Sequence, residues 1–294
     1  MEETTEIRLS PSSIITWLRC PREFYYNYVE RLPTPLNKHL IKGNIVHKVL
    51  ELFYKRYVKD LKNHIIALLN KEWNNKKEEW DSLDMTEKEL ITEKADCKKM
   101  LDLHYLLLEL KIEGLIISGK VENQQHAFHL LKPKFKELWL EDKELNLCGL
   151  IDRLHTDWNG DITIGDYKTS SKFGIGIKDE YEIQCSIYAL LLKRCKNILA
   201  NYTSIIFLRY GEEVRTRVTP DQIKMALDTV KLIGEKTKTK DIKDYPMNQG
   251  KFCKYCSRFG LCSGIKDLED DKRRDKALKE FLKKKKTTST PVKK

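Results

Sequence analysis

The chain has 294 residues, of which 40% are hydrophobic and 34% are charged, enough for one large domain or two small ones with a core. Its 55 basic and 44 acidic residues give a formal net charge of +11, which favours polyanionic partners, nucleic acid first. No apolar run approaches the roughly 18 residues of a membrane helix, and the polar, acidic N-terminus does not resemble a signal peptide. We therefore expect a cytoplasmic protein without a membrane partner, whose eight cysteines do not form disulfides.

The first predicted helices lie within residues 9–30. Ser10 suits an N-cap position and Pro11 suits the first turn. Pro21 should interrupt the helix directly after Cys20, because proline lacks the N–H that a helix interior requires. The Cys20 sulfur would then lie at a bend that a ligand can approach; a buried structural cysteine is the alternative.

A second helical stretch is predicted over residues 42–59, with His47 inside it. A histidine within a helix is commonly structural, and a ligand role is the alternative. Gly43, one turn earlier, permits close approach of backbone or substrate, which favours the ligand role.

Residues 60–130 are predicted to form a charged helical insertion or subdomain, with helices that include 87–97 and 100–112. The segment from Gly114 to Val121 nearly matches a nucleotide-binding P-loop. Such a loop needs a hydroxyl at its last position to bind Mg²⁺, where this chain has valine, and it needs a preceding strand. The motif is therefore rejected, and no motor function follows from it.

Partial alternation over residues 130–142 indicates a strand that leads into the next hairpin. Glu137 or Glu141 on this strand could add an acid to a metal site. Solvated surface charges are the alternative for each of them.

Two strand-like runs follow, joined by Asn159-Gly160, which is the usual hairpin signal. Asp166 and Lys168 are two residues apart on the second run, so they share one face, and Asp152 on the first run can face the same side. Carboxylates suit Mg²⁺, and a metal-bound water is a strong nucleophile. An ammonium can orient that water or stabilise charge on a phosphate. The hairpin thus predicts phosphodiester hydrolysis; an edge hairpin with solvent-facing charges is the alternative.

After Lys168 a polar, flexible loop over 169–176 leads to a helix over 180–196, on which Gln184 and Tyr188 share a face. The remaining predicted elements are a strand at 204–210, a strand at 213–219 and a helix from Pro220 to about Lys236.

Three cysteines lie close together in residues 250–264, spaced Cys253-x2-Cys256-x5-Cys262. This density of thiols in a cytosolic chain indicates a zinc or iron–sulfur site. A closed site usually needs four ligands, and Cys20 is the best candidate for the fourth, although Cys97, Cys148, Cys185 and Cys195 are also present.

The predicted organisation is one domain over residues 1–266, with the helical insertion at 60–130 and the cysteine segment at 250–264 closing on Cys20. Residues 267–294 are charged, lysine-rich and of low complexity. We expect them to form a disordered tail that adds nonspecific affinity for phosphates.

Taken together, these motifs resemble the RecB-like branch of the PD-(D/E)XK nuclease superfamily. Within that branch the chain is most similar to the iron–sulfur exonucleases, such as the CRISPR-associated RecB-like exonucleases and the AddB nuclease domain. The matching motifs cover about residues 9–264 and are, in order, Leu9-Ser10-x-Ser12, Cys20-Pro21-x-x-Phe24-x-Tyr26, Gly43-x-x-x-His47, Gly149-x-x-Asp152-Arg153, Asp166-Tyr167-Lys168-Thr169, Gln184-x-x-x-Tyr188 and the three terminal cysteines. The resemblance implies an α/β, restriction-endonuclease-like fold, in which helices flank a mixed β-sheet core.

The resemblance also implies a role for each matching residue. His47, Asp152 and Asp166 would ligate Mg²⁺ or Mn²⁺, with the Tyr167 carbonyl assisting, and Lys168 would act on the attacking water or the developing charge. The remaining roles are substrate positioning by Gln184 and Tyr188 and a structural [4Fe–4S] cluster on Cys20, Cys253, Cys256 and Cys262.

We therefore expect a Mg²⁺- or Mn²⁺-dependent DNA exonuclease that acts on DNA ends, often single-stranded, in repair, recombination or CRISPR adaptation. Protein partners in such complexes are expected as well. No helicase motif is present, so the chain does not resemble a complete RecB or AddB motor. A non-catalytic DNA-binding or scaffold protein is the alternative function, and zinc is the alternative occupant of the cysteine site.

Overall fold

The computed structural model describes residues 7–170, 178–250 and 252–262. Most of the predicted loop at 169–176, the end of the cysteine segment and the predicted tail at 267–294 lie outside the described residues. None of the helices in the described ranges combines the length and apolar content that a membrane crossing requires.

Helices dominate the described chain, and five strands are set among them. The α-helices are α1 (Pro11–Arg19), α2 (Pro21–Phe24), α3 (Lys38–Phe53), α4 (Leu61–Asn75), α5 (Lys77–Asp81), α6 (Glu87–Ile117), α7 (Gln124–Leu131), α8 (Lys178–Lys196) and α9 (Pro220–Lys236). The strands are β1 (Phe135–Asp142), β2 (Leu147–Thr156), β3 (Ile162–Lys168), β4 (Tyr202–Phe207) and β5 (Glu212–Arg217). A π-helix spans Tyr25–Val29, and short 3₁₀ turns span Ile242–Asp244, Cys253–Tyr255 and Phe259–Leu261.

The strands form one mixed sheet in the order β1-β2-β3-β4-β5. The first three strands are antiparallel neighbours, β3 and β4 run parallel, and β5 returns antiparallel to β4. A parallel pair needs a long crossover connection, and α8 supplies it between β3 and β4. The predicted mixed sheet flanked by helices is confirmed.

The chain divides into two compact units, Met1–Pro35 with Val230–Lys294 and Leu36–Thr229, so the division falls within α9. The unit Leu36–Thr229 contains the sheet. Its largest apolar cluster joins side chains of α3 to α7 to Tyr167 on β3 and Ile206 on β4. A smaller cluster of Cys185, Ile205 and Phe207 joins α8 to β4. Helices therefore cover both faces of the sheet.

The hairpin between β2 and β3 was predicted correctly. Gly160 adopts a φ of +82°, a conformation that favours glycine. The Asp157 carboxylate accepts the backbone N–H groups of Asn159 at 3.0 Å and Asp161 at 2.9 Å. These bonds fix the turn and thereby the register of Asp152 against Asp166.

Several predicted boundaries were wrong. A single 31-residue helix, α6, replaces the separate helices predicted at 87–97 and 100–112, because apolar residues continue on its buried side through Leu101. The helix predicted to reach residue 59 ends at Phe53. Strand β4 ends at Phe207, earlier than predicted, since a turn closes through Gly211 with a φ of +67°. Strand β5 likewise ends at Arg217 rather than 219.

The rejected P-loop resemblance lies at the C-terminal end of α6, with Gly114 inside the helix and Gly119 just beyond it. A phosphate loop follows a strand and precedes a helix, so this context is the opposite of the one that nucleotide binding requires.

In the other unit, the predicted start and interruption of the first helix are confirmed. The Ser10 side chain caps the backbone N–H of Ser13, and α1 ends at Arg19 with Cys20 extended before Pro21 opens α2. Tyr245 is fully buried, and its ring packs 5.3 Å from that of Trp17.

Arg258 connects the first and last described segments of this unit. Its guanidinium donates to Asn27 Oδ1 at 2.7 Å, to the Pro33 carbonyl at 2.9 Å and to the Leu32 carbonyl at 2.7 Å. Three donated hydrogen bonds from one planar group fix both position and orientation.

Candidate active site

Asp166 and Lys168 lie on one face of β3 and form an ion pair, with 2.6 Å between Lys168 Nζ and Asp166 Oδ2. Among the described residues, Asp166 Oδ2 has no hydrogen-bond partner beyond this ion pair. Burial raises the pKa of Asp166, although the Lys168 ammonium opposes the shift. Burial alone would lower the pKa of Lys168, but Asp166 outweighs that effect and raises it. The Lys168 Nζ therefore stays protonated and acts as a hydrogen-bond donor.

Gln184, on α8, joins both members of this pair. Its Nε2 donates to Asp166 Oδ1 at 2.8 Å, and its Oε1 accepts from Lys168 Nζ at 2.9 Å. The Tyr188 hydroxyl, one turn later, lies 3.2 Å from the same Nε2. The shared helix face predicted for Gln184 and Tyr188 thus lies against the acidic side of β3.

Gly149 on β2 allows Tyr188 to lie this close to the sheet. A Cβ at residue 149 would lie 2.8 Å from Leu191 Cδ1 and 3.2 Å from Tyr188 Cε1. Real Cβ contacts are seldom so short, so a larger residue here would force the Leu191 and Tyr188 side chains to move.

Asp152 is held by two neighbours. The His47 Nδ1 lies 3.2 Å from Asp152 Oδ1, and the backbone N–H of Tyr167 donates to Asp152 Oδ2 at 2.7 Å. Burial alone would lower the pKa of His47, but Asp152 outweighs it and raises the pKa. The proposed role of the Tyr167 carbonyl as a ligand stays a prediction.

Glu137, on β1, completes a group with His47 and Asp152. One potential ligand atom from each of these residues lies within 4.8 Å of the others. Burial, followed by the charge of Asp152, raises the pKa of Glu137 to about 7. Of the two acids suggested on this strand, Glu137 is therefore the one brought to the site, whereas Glu141 is exposed.

The donor set of this group fits a hard divalent cation. One imidazole and two carboxylates offer nitrogen and oxygen ligands of the kind that Mg²⁺ and Mn²⁺ accept. Asp166 does not belong to this group of three, and its oxygens are held by Gln184 and Lys168. Its charge nevertheless raises the pKa of His47, so Asp166 is electrostatically part of the same site.

The four cysteines proposed as cluster ligands all belong to the unit Met1–Pro35 with Val230–Lys294. Backbone N–H groups donate to three of the sulfurs: Asn248 to Cys20 at 3.5 Å, Gly250 to Cys253 at 3.4 Å and Arg258 to Cys256 at 3.4 Å. Such donors stabilise thiolates, the form that binds metal.

The thiols also influence one another. Burial raises the pKa of Cys256 to about 11, and Cys262 and Cys20 contribute to the shift. Burial followed by the charge of Cys20 raises the pKa of Cys262 to about 11 as well. A cation would remove this mutual repulsion, so the four sulfurs are electrostatically suited to a metal centre.

Comparison with known proteins identifies the superfamily of the chain. Residues 8–263 match the profile of the PD-(D/E)XK nuclease superfamily. Among solved structures, a candidate exonuclease from Eubacterium rectale matches at 12% sequence identity and a TM-score of 0.49, over 90% of this chain and 96% of that chain. The curated proteins contain no match. Because the profile spans most of its length, the chain belongs to the PD-(D/E)XK nuclease superfamily.

Proposed function

We propose that this chain is a Mg²⁺- or Mn²⁺-dependent deoxyribonuclease that acts as an exonuclease on single-stranded DNA ends. The observation that carries the proposal is the group of His47, Glu137 and Asp152 beside the ion pair of Asp166 and Lys168. Membership of a nuclease superfamily supports hydrolysis of nucleic acid.

His47, Glu137 and Asp152 would hold the divalent ion, with Asp166 and the Tyr167 carbonyl as the further ligands that the RecB-like resemblance implies. When bound, such an ion supplies Lewis acidity and lowers the pKa of a bound water. The hydrogen bonds of Asp152 to His47 and to the Tyr167 N–H fix the ligands before the ion arrives. This preorganisation raises metal affinity.

Lys168 acts as a donor in this proposal. Its protonated Nζ, held by Asp166 and Gln184, can donate to the attacking water or to a nonbridging phosphate oxygen as charge builds there. Its raised pKa argues against a role as proton acceptor. Gln184 and Tyr188 would position the strand relative to this donor.

We also propose that the chain belongs to the RecB-like branch and holds a structural [4Fe–4S] cluster on Cys20, Cys253, Cys256 and Cys262. The backbone N–H donors to three of the sulfurs support this assignment. The net charge of +11 supports a polyanionic substrate. DNA repair, recombination and CRISPR adaptation, with the protein partners of those complexes, are the contexts that fit this activity.

A nuclease assay on anaerobically purified protein tests the proposal. DNA labelled at the 5′ or 3′ end, single-stranded or duplex, is incubated with Mg²⁺, Mn²⁺ or EDTA. We expect metal-dependent shortening of single strands, abolished by Asp166→Asn and unaffected by Asp161→Asn in the turn of the same hairpin. DNA binding by the wild type without cleavage under any metal condition would refute the proposal and favour the non-catalytic alternative.

A further inference from the structure

A cavity of about 940 Å³ lies on the face of the sheet opposite to Asp166 and Lys168. Thr163 and Gly165 of β3 line it, and side chains of a strand alternate between faces. The opposite wall is α6, through residues that include Leu107. None of the five side chains of the candidate metal and lysine site lines this cavity. Its volume lies within the range of about 300–1,000 Å³ that is typical of small-ligand sites.

Arg153 is one of the cations that line this cavity. It follows Asp152 on β2, and its Nε is inaccessible to solvent and has no hydrogen-bond partner. Among the described residues, no carboxylate forms an ion pair with its guanidinium, which lies near the neutral hydroxyls of Tyr167 and Tyr54 and the Glu213 carboxylate. A buried arginine is expected to be paired, because an uncompensated buried charge is costly. An anion bound in the cavity would supply the missing partner.

The sheet is built to make room for this side chain. A Cβ at Gly165 would lie 3.4 Å from Arg153 Cβ, from Arg153 Cδ and from Ser204 Oγ. A Cβ there would be in contact with the arginine stem, and a longer side chain would compete with it for the same space. The glycine therefore lets the arginine lie along the sheet and extend into the cavity.

The remaining charges of the lining leave one net positive charge. Lys111 and Lys120 line the cavity with Arg153. Arg215 and Asp157 also line it but pair with each other at 3.6 Å. After that pair is set aside, three cations face the two carboxylates of Glu212 and Glu213. The lining therefore suits an anionic group, and a phosphate can accept two parallel hydrogen bonds from the Arg153 guanidinium.

Two neutral imidazoles add hydrogen-bonding groups. Burial, followed by the charge of Arg153, lowers the pKa of His104 to about 3 and that of His155 to about 4. One nitrogen of each ring is already occupied, that of His104 by the Tyr54 hydroxyl at 2.9 Å and that of His155 by the backbone of Lys132, so each imidazole has one nitrogen left for a ligand. The leucines of α6 and α7 that line the cavity offer an apolar wall to the organic part of a ligand.

We propose that this cavity binds an organic phosphate of mononucleotide size, with the phosphate on Arg153 and the apolar part of the ligand against α6. The site is separate from the candidate nuclease site, and the inference does not depend on the proposed nuclease function.

Isothermal titration calorimetry of the full chain with dAMP in EDTA tests the proposal, because EDTA prevents metal-dependent binding at the candidate nuclease site. We expect one site per chain, unchanged by Asp166→Asn and weakened at least tenfold by Arg153→Met. Lys111→Glu should weaken binding severalfold, whereas Lys99→Glu, a matched charge reversal on an exposed part of α6 outside the cavity, should not.

Should Arg153→Met fail to fold, the double change of Lys111 and Lys120 to Glu carries the test, since both residues are exposed. Parallel titrations use inorganic phosphate and octanoate. Octanoate binding without dAMP binding would overturn the phosphate assignment. No dAMP binding, or binding that withstands the cavity variants, would overturn the proposed site.

Discussion

Glu137 on β1 lies opposite Asp152 on β2, at a position where the backbone pairing of the two strands is interrupted. The register pairs Lys136 with Arg153 and Leu138 with Ile151 and omits the position between them. Glu137 there adopts a φ of +52°, a left-handed conformation that costs a residue other than glycine about 1–3 kcal/mol. Such strain is maintained by surrounding structure and is concentrated at functional sites. The interruption thus places the Glu137 carboxylate next to Asp152 of β2 and His47 of α3.

Replacement of Glu137 by Gln should weaken Mg²⁺ or Mn²⁺ binding by about 10–100-fold, because it removes an anionic ligand. Titration with Mn²⁺ followed by electron paramagnetic resonance measures the effect. Glu141→Gln, a change of the same size on the same strand, is the control. Equal Mn²⁺ affinity in the two variants would exclude Glu137 as a ligand.

Lys168→Met should leave the protein folded and reduce the single-turnover rate of metal-dependent DNA cleavage by about 10²–10³-fold, the usual cost of losing a donor to developing charge. The methionine fills similar space but cannot donate a hydrogen bond. Lys224→Met, at an exposed position of α9, serves as the control. A variant that cleaves at the wild-type rate would remove Lys168 from the mechanism.

Gln184→Leu should lower the cleavage rate by about 10²-fold with a smaller change in KM, because Lys168 and Asp166 lose the amide that connects them. Ser186→Ala on the same helix is a suitable comparison, since the Ser186 hydroxyl donates to the Glu182 carbonyl of its own helix. An increase in KM at constant rate would instead assign Gln184 to substrate binding alone.

Cys20→Ser should abolish the visible absorbance and the bound iron of anaerobically purified protein, or prevent folding. Cys195→Ser, in the unit Leu36–Thr229, should retain both. Metal analysis distinguishes iron from zinc in the wild type. Unchanged iron in the Cys20 variant would mean that another cysteine is the fourth ligand.

The stability of the fold should fall as the pH drops below about 6.5, partly because of His104. Burial lowers the pKa of His104 to about 3 in the folded state, whereas the unfolded value is about 6.5. Between these values the unfolded chain binds the additional proton, so acid favours unfolding. At pH 5 the effect of one such group is about 2 kcal/mol.

Urea unfolding at pH 5 and pH 7 measures this effect. The loss of stability between the two pH values should be smaller in His104→Gln, whose amide can replace the hydrogen bond to Tyr54. The exposed His126 gives the control His126→Gln. An equal loss in all three proteins would show that His104 does not contribute.

Local sequence patterns were sufficient for the parts of the fold that local chemistry determines. Asn159-Gly160 located the hairpin, strand alternation placed Asp166 beside Lys168, and Pro21 located the end of α1. The roles of Gln184 and Tyr188 came from the family resemblance, and the contacts of Gln184 agree with a place beside those residues. The catalytic and cluster roles themselves stay predictions.

Two features of the molecule had no local signal. No neighbouring residue in the sequence distinguishes Glu137 from Glu141. The position of Glu137 at the site depends on the interrupted pairing between β1 and β2. The Arg153 cavity depends on α6 lying across the rear of the sheet, a tertiary arrangement that helical periodicity does not reveal. The position of Arg153 next to Asp152 in the sequence does not reveal that its side chain lines a cavity.

The contacts of Arg258 have a consequence for biosynthesis. Ribosomes release a chain from its beginning to its end, so Asn27, Leu32 and Pro33 emerge more than two hundred residues before the guanidinium that binds them. Tyr245, the ring partner of Trp17, is equally late. The opening segment must therefore remain incompletely folded through most of translation, until Tyr245 and Arg258 have left the exit tunnel.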